Sequence, residues 1–293
     1  MEWNINARTG SPNYVIPVNL ILNEIFEKNP HIFVLTEFVK SVGWLDLKSM
    51  LEEKYYMYDS PYFPHQNGIC IRIKKGWGIE VVKPITHNQD SFFNLPDFYE
   101  VKVRVNSIEL AVIGARIKID CNRSNAKNKE IRHSEHKNRF EQFKRLVGYI
   151  ESLTNVIILG DFNNSRILGD EMELNEEIIE SIYQEKDSLE HNVQKMRSFL
   201  LRSTRKRVSL YYGEGLLSSV GAIWDNNDNI AKPPVENEKV VHKYDHLITN
   251  YVPKRIQYKW DFLKFYISEY FTKNGRIAIE YPDHAILIAE IDI

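Results

Sequence analysis

The sequence predicts an α+β fold, with helices layered on a sheet that is at least partly antiparallel. Short apolar runs rich in β-branched residues alternate with segments of helical spacing, without a fixed-period repeat. Two of these runs flank Asn106-Ser107, a plausible hairpin turn, which argues against a purely parallel, doubly wound sheet. Since no Gly/Ser/Pro-rich linker divides the chain, residues 1–293 are expected to form a single domain.

The predicted elements extend along the whole chain, beginning with an alternating segment at 3–6. An apolar stripe from Phe140 to Leu153 predicts one helix, and a second is expected from about Pro17 to Asn29, because proline suits a first helical turn. The segment 170–190 is compatible with a surface helix, and 225–238 with a long loop. The predicted strands are Ile32–Leu35, Gly68–Ile73, Glu100–Val105, Leu110–Ile119, Val156–Leu159, His246–Thr249 and Ala285–Ile291.

Composition excludes a disordered, collagen-like or membrane-spanning chain. Hydrophobic residues make up 43% and charged residues 27%, and no apolar run reaches the ~18 to 20 residues that a bilayer span needs. The first residues lack the pattern of a signal peptide, so a cytoplasmic protein is expected. Cys70 and Cys121 are too few for a disulfide framework or a thiolate zinc site, so any metal would have oxygen or histidine ligands.

The formal net charge of −2 hides strong local blocks. Residues 116–145 carry ten Lys or Arg against four acids, and 195–207 carry six bases and no acid. Residues 170–190 carry nine acids against one Lys. Solvated helix faces would explain such blocks, but basic blocks also attract polyanions.

Polar residues recur at the ends of the predicted strands. Glu37 and Asp161 directly follow apolar strands, and Asp245 and His284 directly precede others. If the last two strands run antiparallel to the earlier ones, these groups converge on one rim of the sheet. Crowded carboxylates repel by ~1 kcal/mol or more per close pair unless a cation relieves them, and an oxygen-rich site favours Mg²⁺ over zinc. A histidine beside a carboxylate suits proton transfer or charge stabilisation, so metal-assisted hydrolysis of a phosphate ester is predicted.

Five short motifs follow one another along the chain: Trp3-Asn4, Thr36-Glu37, Gly160-Asp161-Phe162-Asn163, Tyr244-Asp245-His246 and Pro282-Asp283-His284. In this order they resemble those of the endonuclease/exonuclease/phosphatase superfamily, which includes pancreatic-type deoxyribonucleases and exonuclease-III-type abasic-site endonucleases. The resemblance extends from residue 3 to the C-terminus. It implies a four-layer α-β-β-α sandwich, in which two mostly antiparallel or mixed sheets pack face to face with helices outside.

The resemblance also implies a metal environment. Glu37 would be the principal ligand, Asp283 would complete the environment, and Asn4 would contribute to it or to the binding of the scissile phosphate. The implied cofactor is Mg²⁺, with Mn²⁺ as the alternative. One or two metals remain open.

By the same resemblance, four residues would perform the chemistry. Asp161 would activate the attacking water or assist the leaving oxygen, and Asn163 would bind phosphate and orient Asp161. Asp245 would pair with His284, which would act as general base or stabilise the pentacovalent phosphate. Both assignments of the general base stay open.

The sequence departs from the family pattern at Arg116, where a strand usually carries His or Tyr. Arginine is a poor proton donor but can clamp phosphoryl oxygens with its bidentate fork, so we expect electrostatics to replace acid catalysis there. An ordinary ion pair is the alternative. Arg139 is a further candidate phosphate ligand, with a solvated helix face equally compatible. His133 and His136 form an H-x-x-H spacing, but the surrounding polar segment favours a loop that leads into the helix.

A nuclease is the first functional prediction, since the two basic blocks flank motif-bearing elements. Its partner would be nucleic acid, DNA favoured over RNA, without a membrane or an obligate protein partner. A phosphatase or phosphodiesterase acting on a small or lipid-linked phosphate is the alternative. A non-catalytic scaffold of the same fold is a third possibility.

Overall fold

The computed structural model describes residues 1–5, 18–38, 43–61, 68–86, 96–118, 129–163, 166–167, 193–213, 224–225, 230–231, 241–242, 244–262 and 284–293. It describes the backbone alone at 83, 129–136, 166–167, 194, 224–225, 230–231 and 241–242.

Within the described residues, sheet 1 has six strands, of which only the β1–β2 pair is parallel. Its strands, numbered along the chain, are β1 (Glu2–Asn4), β2 (Ile32–Phe38), β3 (Tyr55–Asp59), β4 (Gly68–Lys74), β15 (Arg255–Lys259) and β16 (Ile286–Glu290). Their order in space is β15-β16-β1-β2-β4-β3.

In the part of the chain that the structure describes, sheet 2 also has six strands, with β7–β8 its only parallel pair. Its strands are β5 (Glu80–Thr86), β6 (Asp97–Val105), β7 (Ile108–Arg116), β8 (Val156–Asp161), β10 (Ser209–Tyr211) and β14 (Asp245–Thr249), in the spatial order β10-β14-β8-β7-β6-β5. Among the described residues, two small ribbons pair β9 (Arg166–Ile167) with β13 (Val241–His242), and β11 (Trp224–Asp225) with β12 (Ile230–Ala231).

The described helices lie on the outer faces of the two sheets. They are α1 (Val18–Lys28), α2 (Trp44–Glu52), α3 (Lys129–Ile150) and α4 (Val193–Ser203). Leu20 and Ile25 of α1 and Leu47 of α2 join the same buried cluster as sheet 1, whereas α3 and α4 form a second cluster with sheet 2. Among the described residues, no helix is both long and apolar enough to cross a bilayer.

The alternation of β7 separates the two apolar clusters. Leu110 and Val112 belong to the cluster between the sheets, and Ile113 and Ala115 to the cluster beneath α3. Gly114 lets the sheets approach closely, because a Cβ there would lie 2.4 Å from a methyl group of Ile69. The predicted α+β sandwich with two mixed sheets is therefore confirmed.

Most predicted elements are present, with shifted ends. The hairpin is confirmed: β6 and β7 pair around Asn106 and Ser107, whose φ angles of 49° and 68° suit a tight two-residue turn. The prediction of a loop around His133 and His136 was wrong, since α3 begins at Lys129; its Lys, Glu and Arg residues are good helix formers, which extend the helix beyond its apolar stripe. Within the predicted loop 225–238, residues 230–231 form β12, and the predicted helix at 170–190 lies outside the described residues.

Candidate active site

Strands from both sheets bring polar residues to one edge of the sandwich, which we call the site edge. Because β14 runs antiparallel to β8, Asp245 at the start of β14 pairs directly with Asp161 at the end of β8. β16 runs antiparallel to β1, so His284, just before β16, lies beside Asn4 at the end of β1. The predicted convergence is present, but two sheets share the rim instead of one.

Asp161 lies at the centre of the site edge and is fully buried. Gly160 before it has to be glycine, because a Cβ there would lie 1.8 Å from the carbonyl oxygen of Ala115 on the neighbouring strand. Asn4 donates from Nδ2 to Asp161 Oδ2 at 3.0 Å. Asn163 donates twice, from its backbone N to Oδ1 at 2.8 Å and from Nδ2 to Oδ2 at 2.7 Å. Asp161 is therefore held as an acceptor in a fixed orientation.

Asn163 can make both bonds because its backbone turns sharply after β8. Its φ of 45° is in the left-handed region, which asparagine tolerates better than most residues, and its backbone bond to Asp161 closes an Asx turn. Arg139 of α3 donates to the Asn163 carbonyl, and Asn163 Nδ2 also contacts the carbonyl of Ile117 at 3.1 Å. Arg139 thus supports the turn that positions Asn163.

His284 and Asp245 form a buried pair beside Asp161. His284 Nδ1 lies 2.8 Å from Asp245 Oδ2, so the proton is assigned to Nδ1 and Nε2 is left to accept a proton. Nε2 lies 3.5 Å from Asn4 Nδ2. Trp3 donates to the backbone carbonyl of His284 at 3.1 Å, and the Tyr258 hydroxyl donates to the backbone carbonyl of Asp245 at 2.6 Å. Sheet 1 therefore holds both members of the pair.

Glu37 reaches the site edge through a bulge. Val34 faces sheet 2, so simple alternation would point residue 37 away from it. The β2–β4 register shifts between Leu35 and Phe38, and Glu37 has a φ of 49°, a strain of about 1–3 kcal/mol for a residue other than glycine. Its Oε1 then lies 3.6 Å from Arg116 Nη1, across the gap between the sheets.

Arg116 is part of a chain of alternating charges. Besides Glu37, it contacts Asp97, whose Oδ2 accepts from Arg116 Nη2 at 3.0 Å. Lys118 Nζ lies 2.8 Å from the other oxygen of Asp97. Burial acts to lower the pKa of Arg116, but the carboxylates of Asp97 and Glu37 outweigh this effect and raise it. Arg116, which was predicted to clamp phosphate, is thus found in an ion pair with Asp97.

Glu2 adds a buried carboxyl beneath the site edge. It is two residues before Asn4 on β1 and hence on the same face, and it is fully buried. Thr36 donates to its Oε1 at 2.9 Å, while Oε2 has no hydrogen-bond partner among the described residues. Burial and the nearby Asp245 and Asp161 raise the pKa of Glu2 well above its usual value.

The same effects act on Asp161. Burial is the largest cause that raises its pKa, to about 7, and the negative charges of Asp245 and Glu37 act in the same direction. His284, when its ring is protonated, and the hydrogen bond from Asn163 oppose the shift. Without a cation, the site edge therefore disfavours full ionisation.

The donor set fits a divalent cation with a preference for oxygen. Ligand atoms of Asp161, Asp245 and His284 lie within 4.8 Å of one another, and Asp245 Oδ1 is buried without a partner among the described residues. Glu37 is more accessible than the fully buried Asp161 and Asp245, since 20% of its side chain is exposed. In the described part of the site edge, five carboxyl groups face two permanent cations: Glu2, Glu37, Asp97, Asp161 and Asp245 against Arg116 and Lys118.

The structure thus brings together seven of the predicted residues directly or through one contact. Asn4, Glu37, Arg116, Asp161, Asn163, Asp245 and His284 lie at the site edge, and Arg139 supports it. Asp283 lies outside the described residues.

Sequence reasoning did not identify Asp97 and Glu2 as site residues, although the strand pattern around each of them indicates its position. A two-residue turn at 106–107 pairs 105 with 108, so that residues across the hairpin add up to 213, and Arg116 is opposite Asp97. Alternation along β1 places Glu2 on the face of Asn4. Nothing comparable in the sequence indicates Tyr258, whose contact depends on how the sheets pack.

Solved structures share this architecture although their sequences have diverged widely. A mannosyl-6-phosphatase from Bacteroides thetaiotaomicron superposes with a TM-score of 0.61 at 11% identity, covering 100% of this chain and 98% of that one. D. rerio TDP2, complexed with a single-strand DNA product, gives 0.58 at 11% identity, with 100% and 97% covered. An AP endonuclease from Archaeoglobus fulgidus gives 0.55 at 10% identity, with 100% and 98% covered.

Sequence comparisons add no nearer relative. No family model matches the chain, and no curated protein matches it. A further structural match, at 11% identity and a TM-score of 0.59, is an endonuclease/exonuclease/phosphatase protein from Bacteroides vulgatus. The two sheets, their outer helices and these neighbours together show that the chain has the fold of the endonuclease/exonuclease/phosphatase superfamily.

Proposed function

We propose that this protein is a metal-dependent phosphodiesterase and, more specifically, a nuclease that acts on DNA in preference to RNA. The observation that carries the proposal is the buried network at the site edge, in which Asp161 is fixed by two amides beside the His284–Asp245 pair. Burying this many ionisable groups is unfavourable for folding. A chain that used the fold only as a scaffold would gain nothing from them.

Each group suits one part of phosphodiester hydrolysis. Asp161, with its pKa raised to about 7, is suited to accept the proton of the attacking water. Asp245 stabilises the imidazolium of His284, which can donate to a phosphoryl oxygen as charge develops on it. Water adds to phosphorus while the bond to the leaving oxygen breaks.

By the family resemblance Glu37 would hold the metal ion, with Asn4 and Asp283 as the further expected ligands. Asp161, Asp245 and His284, whose ligand atoms also lie close together, are assigned instead to proton transfer and charge stabilisation. When bound, a divalent ion would stabilise negative charge on the phosphoryl oxygens. Arg116 would add a permanent positive charge for the leaving oxygen in place of a proton donor. Arg116→Lys keeps the charge but loses the fork, so it should lower turnover by at least about tenfold; near wild-type turnover would refute this role.

The basic surface of the outer helix layer supports a nucleic-acid substrate. Helix α4 and the turn after it expose Lys195, Arg197, Arg202, Arg205 and Lys206, without an acid between 195 and 207. Binding through such contacts releases counter-ions, so the affinity for nucleic acid should fall steeply between 50 and 200 mM salt, by roughly 10³ or more if six or more phosphates are contacted.

A phosphatase or phosphodiesterase for a small phosphate is the second candidate. The observation that favours it is that Arg116 and Lys118, the permanent cations in the described part of the site edge, both pair with Asp97. Less fixed positive charge is then available at the site edge for a polyanion than at the outer helices.

One panel of substrates tests the proposal. Plasmid, linear duplex, single-stranded DNA, RNA, bis-p-nitrophenyl phosphate and p-nitrophenyl phosphate are each incubated with Mg²⁺, Mn²⁺ or EDTA. The wild type is compared with Asp161→Asn, His284→Ala and the control Asp46→Asn, an exposed acid on α2. We expect the wild type and Asp46→Asn to cleave nucleic acid in a metal-dependent way. Asp161→Asn and His284→Ala should lose this cleavage. Cleavage of the monoester alone would favour the second candidate, and no metal-dependent cleavage would reject both.

A further inference from the structure

Arg116 stands between two carboxylates and lies closer to one of them than to the other. Its Nη1 lies 3.6 Å from Glu37 Oε1, beyond ordinary hydrogen-bond distance, whereas Nη2 lies 3.0 Å from Asp97 Oδ2. Its Nε is buried without a hydrogen-bond partner among the described residues. Asp97 therefore holds the guanidinium firmly on one side, while the contact with Glu37 is the looser one.

Four side chains alternate in charge along this part of the site edge. Glu37 faces Arg116, Arg116 contacts Asp97, and Asp97 contacts Lys118. In such a chain each charge is shared between its neighbours. Loss of the Asp97 charge would therefore strengthen the attraction of Arg116 to Glu37, whereas loss of the Arg116 charge would leave Glu37 without this counter-ion.

We propose that Arg116 is an internal counter-ion for Glu37 that competes with the divalent cation, and that Asp97 sets the strength of this competition. The inference rests on the proposed function, in which Glu37 holds the metal. With a metal ion on Glu37, Nη1 would be released from that carboxylate, and this half of the guanidinium would be available to a phosphoryl oxygen. Metal binding and recognition of the substrate phosphate are thereby coupled through Arg116.

The direction in which two substitutions change the affinity for the metal ion separates this role from a merely structural one. If Arg116 only supported the fold, its loss would weaken metal binding or leave it unchanged. As a competing counter-ion, its loss should tighten metal binding. Loss of the Asp97 charge leaves Glu37 as the remaining carboxylate partner of Arg116 among the described residues, so metal binding should become weaker.

Direct binding of Mn²⁺ without substrate tests the proposal, by calorimetry and by the electron paramagnetic resonance signal of free Mn²⁺. Arg116→Gln should lower Kd at least about tenfold, and Asp97→Asn should raise it about threefold or more. Arg104→Gln is the matched control, because this arginine of β6 pairs with an acid on the protein surface and should leave Kd unchanged. In the same preparations, turnover of bis-p-nitrophenyl phosphate at saturating Mn²⁺ should fall in Arg116→Gln despite the tighter binding.

The possible results are distinct. Unchanged or weaker Mn²⁺ binding in Arg116→Gln overturns the proposal, provided that the wild type binds Mn²⁺ and Glu37→Gln abolishes that binding. If the wild type does not bind Mn²⁺, or Glu37→Gln binds it normally, the metal assignment in the proposed function fails and the competition fails with it. If Arg116→Gln does not fold, as judged by circular dichroism, Asp97→Asn decides: unchanged or tighter binding there overturns the proposal.

Discussion

Without metal, the buried Asp161 should make the protein less stable as the pH rises from about 4 to 7. Its pKa is raised in the folded protein, so the folded state holds a proton that the unfolded state has already lost in this range. The free energy of unfolding falls with pH wherever the folded state binds more protons. The contribution of Asp161 is therefore complete below its unfolded pKa and lost as the pH rises through its folded pKa.

The magnitude follows from the two pKa values. The interval from 3.8 to about 7, at ~1.4 kcal/mol for each pH unit, corresponds to on the order of 4 kcal/mol. No allowance for solvent screening is needed, since Asp161 is fully buried. Glu2, whose pKa is also raised, acts in the same direction.

Urea unfolding at pH 4, 5, 6, 7 and 8 in EDTA measures the effect, with Asp161→Asn as the comparison. The amide cannot accept all three hydrogen bonds that Asp161 accepts, so the variant should be less stable at pH 4. The useful quantity is the difference in unfolding free energy between wild type and variant, which should fall by on the order of 4 kcal/mol from pH 4 to 8. A difference that stays constant with pH would refute the raised pKa. Addition of Mg²⁺ at pH 7.5 should restore stability to the wild type more than to the variant.

Three further substitutions test the packing that positions the site edge, each by urea unfolding. Gly114→Ala should lower the free energy of unfolding by about 1–3 kcal/mol, since the added methyl group clashes with sheet 1. The control Gly148→Ala, on the open side of α3, should be neutral or stabilising. Equal effects would contradict the close approach of the sheets. Arg207→Gln should lower the free energy of unfolding by about 1–2 kcal/mol, because this side chain donates to carbonyls at the C-terminal end of α3. The control Arg205→Gln, at an exposed position, should lower it by less than about 0.5 kcal/mol. The reverse order would refute the capping role. Tyr258→Phe should cost about 1 kcal/mol and lower turnover, since its hydroxyl holds the backbone at the start of β14; unchanged turnover would show that this contact does not position the site.

The site could be predicted from the sequence where its residues follow directly from strand ends. Asp161 is the last residue of β8, so the apolar run before it located the carboxylate, and the antiparallel arrangement of β14 accounts for Asp245 beside it. The hairpin turn likewise fixed the register of β6 and β7. These features depend on local patterning, which a single sequence records.

The rest of the site depends on long-range geometry that patterning does not record. Glu37 faces sheet 2 only because of a bulge between Leu35 and Phe38, and alternation alone would have turned it away. The contact of Tyr258 with β14 requires knowledge of how the two sheets pack. Helix α4 was not predicted, because its basic residues were interpreted only as a charge block. Its buried positions nevertheless recur with helical spacing at Val193, Met196 and Leu200.

The rate of bis-p-nitrophenyl phosphate hydrolysis by the wild type and by Asp161→Asn, each with saturating Mn²⁺ and with EDTA, tests the central claim most directly. This substrate needs no polymer-binding surface, so the rate reports on the site edge alone. We expect a wild-type rate that EDTA abolishes and that falls at least about 100-fold in Asp161→Asn. A wild-type rate that is indifferent to EDTA, or equal rates in the two proteins, would contradict the assignment of the site edge to metal-dependent phosphodiester hydrolysis.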